Sequence, residues 1–190
     1  HPTALHFDRQ ESPVASVTSG HLSSKGSARG GAKLQVVTIY ITLSGVTMRT
    51  SAFLDSGSTH SFISRKLLEA LGARPTKTTS VTLSTINADQ NFETCIVPHI
   101  FIEDLDHNNR LELPPLFVLN RIPVTNVDAP NAEDLNRWPY LIEEGVHIDE
   151  SCEGEVGLLI GNNVVMATEP IKIVSSQNGG PFPIRTRYGW

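Results

Sequence analysis

Ala52-Phe53-Leu54-Asp55-Ser56-Gly57-Ser58 decides the reading of this chain: an apolar run ends in one carboxylate and enters a tight turn. Ser56 can hydrogen-bond the turn, and Gly57 is expected to take backbone angles that a side chain would block. A carboxylate delivered by an apolar strand is costly to bury unless it is hydrogen-bonded or chemically employed. From average composition, an Asp-Ser/Thr-Gly triplet turns up by accident in roughly one chain in ten of this length. A strand ending in an Asx-type turn is therefore the default reading, and the flanking sequence has to decide.

Upstream the pattern has period two. Val37, Ile39, Ile41 and Leu43 line one face of a strand, and Ser44-Gly45 suits a two-residue hairpin turn. The return strand puts Val46, Met48, Ala52 and Leu54 on one face, so Asp55 ends the second strand of a hairpin. Downstream, Ser61-Phe62-Ile63 continues extended. Ser64 is a fair N-cap for a short helix from Arg65 to Leu71, with Leu67, Leu68 and Leu71 inward and Gly72 as its stop.

A second hairpin reads from Val81 to Ile86 and from Phe92 to Val97, joined by Asn87-Ala88-Asp89-Gln90-Asn91. Ile100 to Ile102 and Leu116 to Leu119 are further strands, with a polar connection from Asp104 to Arg110. Asn120 to Glu155 is long for a connection, which marks a functional segment or an insertion. Trp138-Pro139-Tyr140-Leu141 is expected to anchor it, and its acids, Glu143 to Glu155, read as a solvated loop without metal-ligand spacing. Val156-Gly157-Leu158-Leu159-Ile160-Gly161 is a buried strand closed by a glycine. Asn162 to Ala167 then starts a short helix, Ile171 to Val174 is a last strand, and the tail is mostly loop.

The totals narrow the function classes. At 190 residues, 39% apolar and 18% charged, the chain supports one domain with a proper core. A net charge of −5 without a block of like charges argues against direct nucleic-acid binding. Cys95 and Cys152 make no disulfide framework and no zinc site; they read as free thiols in a reducing compartment, with a single bridge as the alternative. No apolar signal core and no bilayer-length stretch is present, so a cytoplasmic location is expected. Residues 1–32 read as a disordered linker, given the Ser/Gly run from His21 to Gly31. Gly26 to Lys33 misses the phosphate-binding loop, which needs Gly-Lys-Ser/Thr where Gly31-Ala32-Lys33 stands. With no initiator Met, the chain is expected to have been cut from something longer. His99, His107 and His147 lack metal spacing, and no Gly-x-Ser-x-Gly makes His60 and Ser58 a serine-hydrolase pair.

Three stretches together resemble one lobe of an aspartic protease, the retropepsin half: Leu54-Asp55-Ser56-Gly57, the hairpin from Ser80 to Val97, and Leu159-Ile160-Gly161. The details look most like the protease region of BEL/Pao-type retrotransposon Gag-Pol polyproteins. They are Phe53 to Ser58 with Ser61-Phe62-Ile63 close behind, then Trp138-Pro139, Leu158 to Gly161, Gly180-Pro181-Phe182 and Arg185 to Trp190. The resemblance covers Lys33 to Trp190, and the opening His1 to His6 looks like the segment directly downstream of a Gag-type zinc knuckle. Two features depart from the pattern: the hairpin tip has no glycine, and compact viral retropepsins lack the long connection from Asn120 to Glu155.

The resemblance implies an all-β fold with one or two short helices, a retropepsin-like single lobe of the acid protease barrel, active as a homodimer. Residues 33–175 would be the protease domain and 176–190 a segment leading toward reverse transcriptase. It implies an aspartic endopeptidase that processes its own polyprotein, in the cytoplasm or within virus-like particles, with no cofactor, metal or membrane partner. Asp55, Ser56, Gly57 and Ser58 would be catalytic, with Ser56 bonding across the two-fold axis and Ser58 donating to the Asp55 carboxylate. Thr85, Ile86, Asn87, Ala88, Asp89 and Gln90 would cover the substrate, and Leu159, Ile160 and Gly161 would support the site. The alternative is a catalytically inactive retropepsin-like dimerisation or peptide-binding domain; a further rival is an unrelated all-β module in which Asp55 merely caps a turn.

Overall fold

The computed structural model describes residues 15–18, 33–74, 78–84, 89–150, 152 and 154–190. In chain order the elements begin with β1 (Ala15–Thr18), β2 (Val36–Leu43), β3 (Val46–Asp55), β4 (Phe62–Ser64), α1 (Arg65–Ala70), β5 (Thr78–Ser84) and β6 (Asp89–Val97). They continue with β7 (Phe101–Glu103), β8 (Arg110–Glu112), β9 (Leu116–Leu119), α2 (Ala132–Arg137), α3 (Pro139–Glu143), β10 (Leu158–Gly161), α4 (Val165–Thr168), β11 (Lys172–Ile173) and β12 (Ile184–Arg185). Ten strands form one sheet in the order β1-β5-β6-β9-β4-β10-β3-β2-β7-β8, and β11 pairs with β12. The fold is mostly β, with four helical segments among the described residues where one or two were expected.

The β2–β3 hairpin is set by its own residues. Leu43 lies opposite Val46, and both turn residues have positive φ, 50° at Ser44 and 85° at Gly45. That is the turn whose twist matches the flanking strands. Val37, Ile39, Ile41 and Leu43 are buried as the alternation predicts. β3 departs from alternation: Val46 is exposed, and every residue from Thr50 to Asp55 is buried. The cause is a second neighbour, because β10 runs parallel to its last four residues. A strand flanked on both edges and covered on both faces reads as a continuous apolar run.

Local chemistry also explains α1. Ser64 Oγ accepts a hydrogen bond from the Leu67 amide at 3.2 Å, and Gly72 at φ +74° lies just past the helix end. Leu67 and Leu68 face inward, together with Leu71 at the helix end. β5 and β6 pair with Ser84 opposite Asp89, so Asp89, Gln90 and Asn91 belong to the strand and not to the turn. Thr82 Oγ1 donates to Asn91 Oδ1 at 2.6 Å, a polar cross-strand pair that compensates for the missing apolar pattern. β8 lies in what reads as polar connection; Asp104 closes the intervening loop by accepting from the Asn109 amide at 2.8 Å and side chain at 2.9 Å.

Both ends of the chain contribute short strands. Ala15–Thr18, inside the stretch assigned to a disordered linker, is a strand on the edge of β5. Its β-branched Val17 and Thr18 suit a strand, and an unpaired sheet edge offers them main-chain partners. At the other end, residues of the 176–190 segment pack on the domain. Tyr188 is buried in the main core, and β12 pairs with β11.

The core has three parts. The main cluster includes Ile39, Ile41, Leu68, Ile100, Leu116, Leu158 and Ile160. The second gathers Phe53, Phe62, Val81, Phe117 and Leu159. The third holds the long connection, with Tyr140 and Leu141 buried beside Trp138 and Trp190. Tyr140 also donates its hydroxyl to the Pro181 carbonyl, which pins the tail to α3. Cys95 and Cys152 are both free. No helix among the described residues is long and apolar enough to cross a membrane.

Candidate active site

Asp55 closes β3 and opens an Asx turn. The Gly57 amide donates to Asp55 Oδ1 at 3.0 Å, and the Ser58 amide donates to the Asp55 carbonyl at 3.1 Å. Asp55 as a whole is 9% exposed, and its second oxygen, Oδ2, is buried with no hydrogen-bond partner. A buried carboxylate oxygen without a donor is costly and calls for an explanation outside simple packing.

Gly57 has a different role from the expected one. It does not have positive φ. Its value lies in its amide and in its bareness, since a Cβ there would stand 3.2 Å from Asp55 Oδ1. Ser58 also differs: its fully buried Oγ donates to the His60 carbonyl at 2.8 Å, so it does not donate to the Asp55 carboxylate. It braces the turn from within. Ser56 is exposed.

The turn is clamped from the side by β10. The parallel register puts Leu159 beside Phe53, Ile160 beside Leu54 and Gly161 beside Asp55. A Cβ on Gly161 would overlap the His60 carbonyl oxygen and lie 2.8 Å from the Ser58 carbonyl oxygen. Past the glycine, the Asn162 amide donates to the Ser58 carbonyl at 2.7 Å. Ser61 Oγ accepts from the Gly161 amide at 2.9 Å and donates to Asn163 Oδ1 at 2.8 Å. Sequence pattern alone does not mark Ser61 and Asn163 as part of the site. Their pairing spans about a hundred residues, and the only signal is two Asn directly after a strand-closing glycine.

One face of the site is aromatic and aliphatic. Phe53 and Leu159, two residues before Asp55 and Gly161, pack in one cluster with Val81 of β5 and with Phe117. Val81 thereby ties β5 to the cluster that underlies the turn. The His60 ring lies 5.5 Å from Phe117, and burial pushes its imidazole below the ordinary range. Thr85, Ile86, Asn87 and Ala88 lie outside the described residues; Asp89 is exposed at the start of β6, and Gln90 pairs with Leu83. A wide groove lies elsewhere, lined by Leu43, Ser44, Arg74, His99 and Phe101 at the turn end of the β2–β3 hairpin. Ten residues of β3 separate that end from Asp55, roughly 30 Å of strand. No group of three or more His, Cys, Asp or Glu among the described residues is placed to hold a metal ion.

Comparison with known families matches the chain to the model of one described as aspartyl protease, over residues 37–131, which is half of the chain. The match takes in β2, β3, the Asp55 turn and the β5–β6 hairpin, and it ends before β10. None of the curated proteins compared with the chain matches it.

Proposed function

This chain belongs to the aspartyl protease family, and from that premise we propose that it is an aspartic endopeptidase that works as a homodimer on a retrotransposon polyprotein. The observation that carries the reading is the Asp55 carboxylate, with one oxygen held by Gly57 and the other buried without a partner at the junction of β3 and β10. Peptide hydrolysis by this chemistry takes two carboxylates. One accepts a proton from the attacking water while the other donates to the carbonyl oxygen. Like charges that close cannot both ionise, so the pair shares a proton. The chain has a single Asp-Ser-Gly, so the second carboxylate is Asp55 of another copy.

Each residue of the turn then has a role. Asp55 supplies the carboxylate, Gly57 its fixed donor, and Ser58 the brace to His60 that holds the turn in shape. Ser56, exposed on the turn, is free to bond across the two-fold axis. Leu159, Ile160 and Gly161 set the turn's position from the side. Residues 85–90 take the substrate-covering role that the resemblance assigns them. The polyprotein substrate rests on the resemblance to BEL/Pao-type elements.

The test is cleavage of a mixed peptide library from acidic to mildly alkaline pH, wild type against Asp55→Asn, with the dimer fraction recorded in the same samples. Cleavage that is lost in the variant, scales with dimer and fades toward alkaline pH supports the reading. Dimer without cleavage would instead make the chain a dimerisation or peptide-binding module. Turnover unchanged in Asp55→Asn would end the mechanism.

A further inference from the structure

Two buried polar groups away from the Asp55 turn lack partners. Ser51 Oγ and Trp190 Nε1 are both shut off from solvent, and neither completes a hydrogen bond among the described residues. They come from distant parts of the chain, β3 and the tail, yet both residues line one small space. Thr38, directly opposite Ser51 on β2, and Asp149 of the long connection line it as well. The tail runs close against that wall: a Cβ on Gly189 would stand 3.5 Å from Asp149 Oδ2 and 3.6 Å from Val37 Cγ1. Burying a hydroxyl and an indole N–H without partners is costly, and two such groups at one place point to a shared partner.

We propose that this space is a binding site for one ordered water molecule, which bridges Trp190 Nε1 to Ser51 Oγ and so pins the tail to β3. Its volume is about 20 Å³, and one water needs roughly 10–15 Å³. A single water therefore fills it, and an organic ligand does not fit. The groups on its wall suit a neutral partner. The indole N–H only donates, which disfavours a cation, and the Asp149 carboxylate disfavours an anion. Water accepts from the indole and donates its own two protons to oxygens. Ser51 Oγ and the Asp149 carboxylate are acceptors there. Thr38 Oγ1 has its proton engaged with the Glu150 carbonyl at 3.1 Å and keeps lone pairs to accept. That supplies the two to four partners that hold a buried water. Cys152 is no substitute: burial pushes its thiol up, with Arg49 and then the Ser51 hydroxyl opposing, and a protonated thiol is a weak partner. The Trp190 ring is held from the tail's own side by Lys172 and Arg185, 5.7 and 5.9 Å from its centroid. The water joins it to the strand that ends in Asp55, four residues beyond Ser51.

The test is NMR on the nitrogen-labelled full chain, reading magnetisation transfer from water to the Trp190 indole N–H, whose resonance Trp190→Phe assigns. A held water gives cross-peaks of opposite sign in laboratory-frame and rotating-frame experiments, whereas solvent exchange gives the same sign in both. Ser51→Ala removes one partner, and Ser51→Thr puts a methyl group into the space; the amide spectrum of each shows whether the fold is kept. Peaks of opposite sign are expected at the wild-type indole, with at least about a 3-fold loss of that contact in the folded variants. A wild-type indole without a held water overturns the proposal, and this reading decides alone if a variant fails to fold. So does a contact of full strength in folded Ser51→Thr, because the water at Trp190 would then not be the one at Ser51. No turnover is read, so this result stands or falls apart from the protease assignment.

Discussion

Gly161→Ala tests whether β10 truly presses on the Asp55 turn. The new methyl would meet two backbone oxygens, His60 O and Ser58 O, and not the movable end of a side chain. Relief requires β10 to move off the turn. Forced overpacking costs about 1–3 kcal/mol. The shift also strains two buried hydrogen bonds, Gly161 amide to Ser61 Oγ at 2.9 Å and Asn162 amide to Ser58 O at 2.7 Å. Each is worth about 0.5–1.5 kcal/mol, which brings the whole to roughly 2–6 kcal/mol. Against a typical stability of about 5–15 kcal/mol that is a large share. With a urea slope of about 2 kcal/mol per molar, the unfolding midpoint should drop by roughly 1–3 M. Gly45→Ala is the control, because a Cβ there meets nothing within 4 Å and only the positive φ of 85° is penalised, about 1–2 kcal/mol. If Gly161→Ala cost no more than Gly45→Ala, the close approach inferred from the register would be wrong.

Three other perturbations probe the same structure. Asp55→Asn keeps the acceptor for the Gly57 amide and removes a charge from a buried oxygen that has no partner. It should unfold at the same or higher denaturant concentration than wild type, and a loss beyond about 1 kcal/mol would mean that the carboxylate is held by more than Gly57. Tyr188 is pushed up to about 12 by burial and then by the charge of Asp104, with Arg187 opposing. Since the unfolded phenol titrates near about 10, its contribution is complete below that pH and is lost toward pH 12, by up to roughly 2–3 kcal/mol. Urea midpoints across that window should fall less in Tyr188→Phe, and an equal fall would refute the assignment. Ser64→Ala removes the bond from the Leu67 amide and should cost about 1 kcal/mol in denaturant unfolding, with no loss pointing to a cap supplied elsewhere.

How much of the fold is legible in the sequence depends on the range of the interaction. The β2–β3 hairpin, the Ser64 cap and the stop at Gly72 are set by residues a few positions apart, and pattern reading recovers them. The continuous burial of Thr50 to Asp55 is set by β10, about a hundred residues later, so alternation misplaces it. β8 and the strand at Asp89 to Asn91 escape because both are short and mostly polar in sequence, too little for a period to show. Ala15–Thr18 escapes because it is four residues long beside a Ser/Gly-rich run, and its pairing partner β5 lies more than sixty residues away.

The site shows the same division at the scale of single atoms. That Asp55 meets a turn is readable from Asp-Ser-Gly, yet the partner of Ser58 Oγ is not. A hydroxyl near a carboxylate in sequence has both the carboxylate and any nearby carbonyl within reach, and here the His60 carbonyl wins. Glycine is the extreme case. At Gly57 and at Gly161 the sequence shows only that a side chain is missing, which is equally consistent with a special φ and with a close neighbour. The structure separates the two: at Gly57 the space is needed by Asp55 Oδ1, and at Gly161 by the carbonyls of Ser58 and His60. Both glycines are bare because atoms of the Asp55 turn stand where a Cβ would lie. The shape of the turn therefore depends on strands β3 and β10 lying in register, and any change that slips that register should move the carboxylate before it unfolds the domain.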